Sequence, residues 1–311
     1  MKKIFVMLLL SAVTLSGCGS HASASQPTEQ NVEQNVEKAM AAEEENASLS
    51  SEEAEELKDE YRVEEIEIDD SGSKIYGRMY YPKEEKDTYP TVIMSHGIGG
   101  NYKNCEPYAM RFAANGIAAF AFDFQGGGPE SKSEGEMKDM STLTEAQDLE
   151  CVTEYIKSME TVDKDNLFLL GESQGGFVSA YAAAKAPADY KAIVLYYPAF
   201  VLQDDAWKKY PDGPETALDL EVIYGIEVGK KSYIDNMSFD IYDMIGDYNK
   251  DVLIVHGEDD PVVPLSYSER AVKTYKSAEL KTIPKAEHGF KGKDIDTAAQ
   301  YAIEFVKKHI D

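Results

Sequence analysis

Basic residues are scarce in this chain. Lysine and arginine together number 31 against 57 aspartates and glutamates, and the formal net charge is −26. A protein that binds nucleic acid needs a basic surface to neutralise phosphates, so the composition argues against a nucleic-acid partner. Hydrophobic residues, by contrast, make up 43% of the chain, which is enough for a globular core. The composition therefore describes a folded acidic protein.

No apolar run near the N-terminus is long enough to span a bilayer, which takes about 20 residues. Lys2 and Lys3 precede IFVMLLLSAVTL, and this arrangement of charge and apolar residues predicts a secretory signal. The ending Leu15-Ser16-Gly17-Cys18 resembles the lipobox of bacterial lipoproteins. The resemblance implies that residues 1–18 are a lipoprotein signal and that Cys18 is lipidated. The alternative is an ordinary signal peptide with an incidental cysteine.

Residues 19–60 contain few apolar side chains. Twelve acidic residues and only two lysines lie in this segment, with alanine, serine, glutamine and asparagine between them. Such a segment buries too little apolar surface to offset its ordering entropy. The pattern predicts a disordered acidic tether that joins the membrane anchor to a folded domain at residues 61–311.

Cysteine and histidine are also few. Beyond Cys18 there are Cys105 and Cys151, both in predicted helices. We expect two free thiols, and a disulfide between them is the alternative. No group of histidines, cysteines and carboxylates has the spacing of a metal site. The sequence therefore predicts neither a metal nor another cofactor.

The folded part alternates between strand and helix patterns. RVEEIEI and SKIYGRMYYP have period-two alternation and predict an antiparallel hairpin that turns near residues 70–72. The runs TVIMSHG, IAAFAFDF, LFLLGES, KAIVLYYP, DVLIVHG and LKTIP follow as strands, separated for the most part by helix patterns. This order predicts an α/β sandwich with a mostly parallel sheet.

One section interrupts that alternation. More than fifty residues lie between the strand at 192–197 and the strand at 252–256, without a simple crossover pattern. An insertion of this length in a compact domain is usually functional. We therefore predict a lid over about residues 199–247.

A candidate nucleophile follows the strand LFLLGES. Gly171-Glu172-Ser173-Gln174-Gly175 has the pattern G-x-S-x-G between a strand and a helix, which is typical of a nucleophile elbow. The glycines suit a turn in which a Cβ would clash. The N–H of Gln174 would lie at the helix N-terminus, where it can face an oxyanion.

A serine needs a base, and His288 is the best placed of the five histidines. It lies in a loop after the strand LKTIP and before the last helix, whereas His21 is in the tether and His309 is in that helix. His96 and His256 are expected to have structural roles.

An acid between Ser173 and His288 would complete a triad in the chain order typical of this arrangement. Glu258, Asp259 and Asp260 all follow the strand DVLIVHG. The segment from His256 to Pro264 resembles the H-G-x-x-D-x-x-V-P loop of many α/β hydrolases. That resemblance implies Asp260, with Asp259 as the next choice.

A second oxyanion donor is expected from His96-Gly97-Ile98-Gly99-Gly100, after the first long core strand. Here the glycines would let the N–H of Ile98 face the site together with that of Gln174. The combined motifs over roughly residues 75–311 resemble the α/β-hydrolase superfamily of serine hydrolases.

Longer stretches, such as HGIGGNYKNCEPYAMRFAANG and YYPAFVLQDDAW, resemble the bacterial cinnamoyl (feruloyl) esterases. That resemblance implies that Asp205 and Tyr233 of the lid bind the phenolic end of a substrate. Glu172 departs from the family pattern, which usually has histidine before the nucleophile.

The sequence as a whole predicts a serine carboxylic-ester hydrolase, lipid-anchored outside the cytoplasm. Its substrate would be a small or polysaccharide-linked ester, with hydroxycinnamoyl esters as the finer expectation. Two alternatives remain open: a serine peptidase of the prolyl oligopeptidase or aminopeptidase type, and a catalytically silent scaffold lipoprotein.

Overall fold

The computed structural model describes residue 57, residues 59–223 and residues 225–311. Cys18, the proposed signal and most of the acidic segment lie outside these residues. Within the described residues, the first long element is β1, which begins at Tyr61. No helix in this part of the chain is long and apolar enough to cross a membrane.

The described strands form one large sheet and one small one. The large sheet has eight strands in the order β1-β2-β4-β3-β5-β6-β9-β10, and β7 pairs with β8 in a separate hairpin. The strands are β1 (Tyr61–Asp70), β2 (Ser73–Pro82), β3 (Tyr89–Ser95), β4 (Ala118–Phe122), β5 (Val162–Glu172), β6 (Ala192–Tyr196), β7 (Leu220–Ile223), β8 (Ile226–Gly229), β9 (Val252–Gly257) and β10 (Ala278–Ile283).

The N-terminal hairpin is confirmed. β1 pairs antiparallel with β2, and the turn between them places Ser71 and Gly72 at φ values of 54° and 94°. The Gly72 N–H donates to the Asp69 carboxylate at 3.0 Å, which closes the turn. From β4 to β10 the neighbouring strands of the large sheet are parallel.

Helices cover both faces of this sheet. They are α1 (Tyr102–Ala114), α2 (Thr142–Ser158), α3 (Ser173–Lys185), α4 (Leu202–Lys209), α5 (Lys230–Asn236), α6 (Ile241–Ile245), α7 (Leu265–Thr274) and α8 (Lys293–His309). Leu149 of α2 and Phe177 of α3 belong to one core, whereas Phe112 of α1 and Ala302 of α8 belong to the other. Because the central strands are buried on both faces, they consist almost entirely of apolar residues.

The start of α2 is fixed by side-chain capping. Ser141 is the N-cap residue, and it forms a reciprocal pair of hydrogen bonds with Thr144. Glu145, in the first turn of the helix, is fully buried. A buried carboxyl at this position must have a partner inside the protein.

The insertion between β6 and β9 contains α4, the hairpin β7–β8, α5 and α6. It has a small core of its own, which includes Tyr210, Ile226, Val228 and Tyr233, and Ile98 packs against that core. These elements have four to eight residues each, so no hydrophobic period is long enough to predict them.

Candidate active site

The turn between β5 and α3 presents Ser173. Its φ of 50° lies in the left-handed region, where a residue other than glycine is strained. A Cβ on Gly171 would lie 2.2 Å from the carbonyl oxygen of Gly175, and a Cβ on Gly175 would lie 2.3 Å from that of Ser95. The two glycines are therefore required by close backbone approach, which explains their spacing around the serine.

His288 reaches the serine from the loop after β10. Its Nε2 lies 2.9 Å from Ser173 Oγ, within hydrogen-bonding distance. The imidazole is 3% exposed, and the Tyr197 ring packs against it edge-to-face with 4.8 Å between ring centroids. Tyr197 itself follows β6 at a φ of 35°. The base predicted from the sequence is thus buried and in contact with the predicted nucleophile.

Asp260 holds the other side of the imidazole. Its Oδ2 lies 2.7 Å from His288 Nδ1, and its Oδ1 accepts the backbone N–H groups of Val262 and Val263, each at 2.8 Å. Burial alone would raise the pKa of Asp260, but hydrogen bonds from His256 and His288 hold it well below its usual range. The acid is therefore an anion that orients the imidazole.

The structure distinguishes the three acids of this loop. Thr282 Oγ1 donates to Glu258 Oε1 at 2.8 Å, and the Asp259 N–H donates to the Ala286 carbonyl at 3.0 Å. Asp260 is the acid that faces His288. It also lies 3.2 Å from His256 Nε2, so the carboxylate has an imidazole on two sides.

His256 supports this acid from beneath. Its Nδ1 lies 2.7 Å from Ser268 Oγ and its Nε2 lies 2.9 Å from the Val263 carbonyl, and the ring is fully buried. Since a carbonyl only accepts, Nε2 carries a proton. That N–H therefore points at both Val263 and Asp260.

The glycine loop after β3 passes over the serine. A Cβ on Gly97 would lie 3.2 Å from Ser173 Cβ. His96 holds the loop: its Nε2 accepts the Phe124 N–H at 3.1 Å, and its Nδ1 lies 2.7 Å from the Gly97 carbonyl. Burial lowers the pKa of His96, which favours the neutral ring. The loop thus has a rigid support.

The two predicted oxyanion donors lie on chain segments that adjoin the nucleophile. Ile98 is the next residue of that loop, and Gln174 is the second residue of α3, where a backbone N–H has no acceptor within the helix. Their positions around Ser173 suit the role, and the assignment stays a prediction.

The Gln174 side chain makes a contact that the sequence motifs do not predict. Its Nε2 donates to Glu145 Oε2 at 2.8 Å and lies 3.3 Å from Met140 Sδ. Glu145, Leu149 and Val152 are all buried on α2, at the spacing of one helix face. An acid in register with an apolar stripe was the signal that could have drawn attention to Glu145.

Glu172 is buried directly before the nucleophile, with 5% of its surface exposed. It lines a small cavity that also includes Gly97, Tyr108, Tyr197 and Lys291. Burial raises the pKa of Tyr108, and the carboxylate of Glu172 raises it further. The residue that departs from the esterase pattern therefore faces a cavity beside the serine.

The two residues of the insertion that are predicted to bind substrate differ in their surroundings. Asp205 lies exposed on α4. Tyr233 is 7% exposed, its hydroxyl donates to Glu221, and its ring packs against Tyr210. Their role in binding a substrate stays a prediction.

The sequence predicts no metal site. The described part of the chain has no group of three or more histidines, cysteines or carboxylates that could hold a metal ion. Cys105 and Cys151 are free thiols.

Sequence comparisons find similarity to hydrolases over part of the chain. A family described as serine aminopeptidase, S33, matches residues 86–220. Monoglyceride lipase of Rattus norvegicus is 29% identical over 136 residues, which are 42% of this chain and 39% of the lipase. Quorum-quenching protein AidA of Acinetobacter baumannii is 28% identical over 114 residues, or 36% of each chain. The chain spans less than two thirds of the length of these curated relatives.

Structural comparison extends over nearly the whole described domain. Est1E from Butyrivibrio proteoclasticus, solved with bound ferulic acid, superposes with a TM-score of 0.71 at 25% identity, over 78% of this chain and 98% of Est1E. The chain has the α/β-hydrolase fold. The matched sequence region includes Ser173, and the superposition covers 98% of Est1E. Together these similarities support hydrolase chemistry on esters.

Proposed function

We propose that the protein is a serine carboxylic-ester hydrolase in which Ser173 is the nucleophile, His288 the base and Asp260 the orienting acid. The observation that carries this proposal is the continuous line of hydrogen bonds from Ser173 Oγ to His288 at 2.9 Å and from His288 to Asp260 at 2.7 Å. A binding module would have no need of this arrangement, because Asp260 orients His288 and His288 in turn activates Ser173 as a nucleophile.

The geometry gives each group one step. His288 Nε2 takes the proton of Ser173 as Oγ attacks the ester carbonyl, and the N–H groups of Ile98 and Gln174 stabilise the oxyanion. The imidazolium, stabilised by Asp260, then protonates the departing alcohol as the C–O bond breaks. Water repeats the sequence on the acyl-enzyme, which releases the carboxylic acid and restores Ser173.

Hydroxycinnamoyl esters are the substrate class that we propose. Est1E, which was solved with ferulic acid, is similar over most of its length, and the motifs around Ser173 resemble those of cinnamoyl esterases. In this proposal the insertion binds the phenolic end of the ester, through Asp205 and Tyr233.

Three substrates test the reaction class. Purified protein is incubated with p-nitrophenyl acetate, methyl ferulate and alanyl-p-nitroanilide, and product release is followed by absorbance. The proposal predicts hydrolysis of both esters, with the higher kcat/KM for methyl ferulate, and little hydrolysis of the anilide.

A peptidase is the second candidate, because the matching family is described as serine aminopeptidase. An aminopeptidase shares the fold and the triad, so only the substrate separates the two. Hydrolysis of the anilide without either ester would favour the peptidase. If none of the three substrates were hydrolysed, the scaffold alternative would stand.

The location of the enzyme is a separate proposal. We propose that Cys18 carries the lipid and holds the domain outside the cytoplasm on the cell envelope, where polysaccharide-linked esters are accessible. Fractionation of cells that express the full chain tests this. The wild type should sediment with membranes, and the Cys18→Ala variant should not be lipidated. Equal lipidation of both chains would contradict the assignment.

A further inference from the structure

Glu145 lies on the first turn of α2, outside the triad. It is completely buried, and its Oε2 accepts a hydrogen bond from Gln174 Nε2 at 2.8 Å. Met140 Sδ lies 3.3 Å from the same nitrogen. The side chain that follows the nucleophile in sequence is therefore held from one side by a neighbouring helix.

The second oxygen of this carboxyl has no partner in the part of the chain that the structure describes. Within the described residues, Glu145 Oε1 is buried and accepts no hydrogen bond. Burial raises the pKa of Glu145 to about 8. The hydrogen bond from Gln174 lowers this pKa, and the nearby Asp148 raises it. A buried polar atom without a partner destabilises the fold and calls for an explanation. Retention of a carboxyl at this cost indicates a role beyond packing.

The turn that carries Glu145 is itself anchored. Ser141 Oγ donates to Asp235 at 2.5 Å, and Thr142 Oγ1 donates to Asn236 at 2.7 Å, so α5 of the insertion holds the start of α2. A group attached to this turn has little freedom to move. It can therefore fix the position of whatever it binds.

We propose that Glu145 is a positioning residue for the oxyanion hole: its bond to the Gln174 side chain fixes the direction of the Gln174 backbone N–H. This inference rests on the proposed function, because it assigns Gln174 to the stabilisation of a developing oxyanion. An oxyanion donor must point at the oxygen of the transition state, and small displacements from that geometry cost much of its effect.

Removal of the bond from either side tests the proposal. Glu145→Ala and Gln174→Ala both keep the backbone N–H at position 174 but remove the side-chain bond that supports it. Each variant should lower kcat for p-nitrophenyl acetate by roughly 10- to 100-fold and leave KM within about threefold. The reason is that the contact between the backbone N–H at position 174 and the oxyanion strengthens only in the transition state. The double variant should lose no more than either single one, since both changes remove the same bond.

Two further variants separate positioning from folding. Glu145→Gln keeps an acceptor for Gln174 and should retain kcat within about threefold of the wild type. Val152→Ala, also buried on α2 but not bonded to Gln174, should lower the melting temperature without changing kcat. If Glu145→Ala does not fold, the kcat of Gln174→Ala compared with that of Val152→Ala still tests the proposal.

The outcomes distinguish the two proposals. Suppose that the wild type hydrolyses esters. The positioning role alone would then be overturned if the single variants kept wild-type kcat, or if their losses in kcat added in the double variant. A wild type that neither hydrolyses an ester nor reacts with a fluorophosphonate would overturn the proposed function and this inference together.

Discussion

The loops at the carboxyl ends of the strands in the large sheet differ from the insertion in how they are packed. Ser173, Asp260 and His288 follow β5, β9 and β10, and all three lie in a buried network of short hydrogen bonds. The insertion leaves large apolar side chains exposed, among them Trp207, Leu218, Leu220, Val222 and Ile234. Its internal contacts include polar ones, such as the bonds from Tyr210 and Tyr233 to Glu221.

This difference separates chemistry from substrate choice. Parallel strands fix the ends of their loops, so residues at one edge of a sheet can be held to within a fraction of an ångström. Short elements with exposed apolar surface can change without disturbing those loops. We therefore expect substitutions of the residues that follow the strands to change kcat, and those at exposed positions of the insertion to change KM.

The largest effect is expected at Ser173. Ser173→Ala should lower kcat at least about 1,000-fold, because the nucleophile is lost while the fold remains. Ser179→Ala is the matched control, since Ser179 is buried in the same helix and its hydroxyl has no partner among the described residues. Rates of p-nitrophenyl acetate hydrolysis measure both. Near-wild-type turnover by Ser173→Ala would contradict the assignment.

A second change breaks the turn that carries the serine. In Gly175→Ala the new Cβ would lie 2.3 Å from the Ser95 carbonyl oxygen, so β3 and α3 must separate. We expect a loss of at least about 3 kcal/mol in the free energy of unfolding, measured in urea. Gly116→Ala meets no atom within 4 Å and should cost only about 1 kcal/mol for its φ of 84°. Equal losses would exclude the close approach as the cause.

The carboxyl of Glu145 predicts a pH dependence of stability. Its pKa in the fold is raised to about 8 from an ordinary value of 4.5. Between these values the unfolded chain ionises first, so the wild type loses stability as pH rises. Glu145→Gln has no such group. The melting temperature of this variant minus that of the wild type should therefore increase from about pH 4.5 to pH 8 and then level off.

The neighbouring acids are present in both proteins. One of them is Asp148, whose pKa burial raises to about 7. Melting temperatures followed by circular dichroism from pH 4 to 9 make the comparison. Parallel curves would show that Glu145 does not titrate as its burial indicates.

The smallest effect is expected in the insertion. Asp205→Asn should raise KM for methyl ferulate about three- to tenfold and leave kcat unchanged, with no effect on p-nitrophenyl acetate. Asp204→Asn is the control, because an amide oxygen can still accept the bond that Tyr267 donates to Asp204 at 2.7 Å. A fall in kcat for both esters with Asp205→Asn would place Asp205 in the chemistry and would erase the distinction between the two regions.

The two regions also differ in what their sequence could predict. The buried strands are apolar runs bounded by turns, and the glycines around Ser173 mark a close backbone approach, so the sheet and its hairpin could be predicted from residues alone. The elements of the insertion are too short for a period to be measured. Contacts between distant segments, such as Glu145 with Gln174, depend on how α2 packs against α3, which local sequence does not encode.

Covalent labelling tests the central claim most directly. The protein is incubated with a fluorophosphonate, and peptides are mapped by mass spectrometry. We predict one adduct per chain, located on Ser173 and absent from the Ser173→Ala variant, because His288 and Asp260 activate this serine alone. An adduct on another residue, or ester hydrolysis that continues with Ser173 unlabelled, would contradict the account.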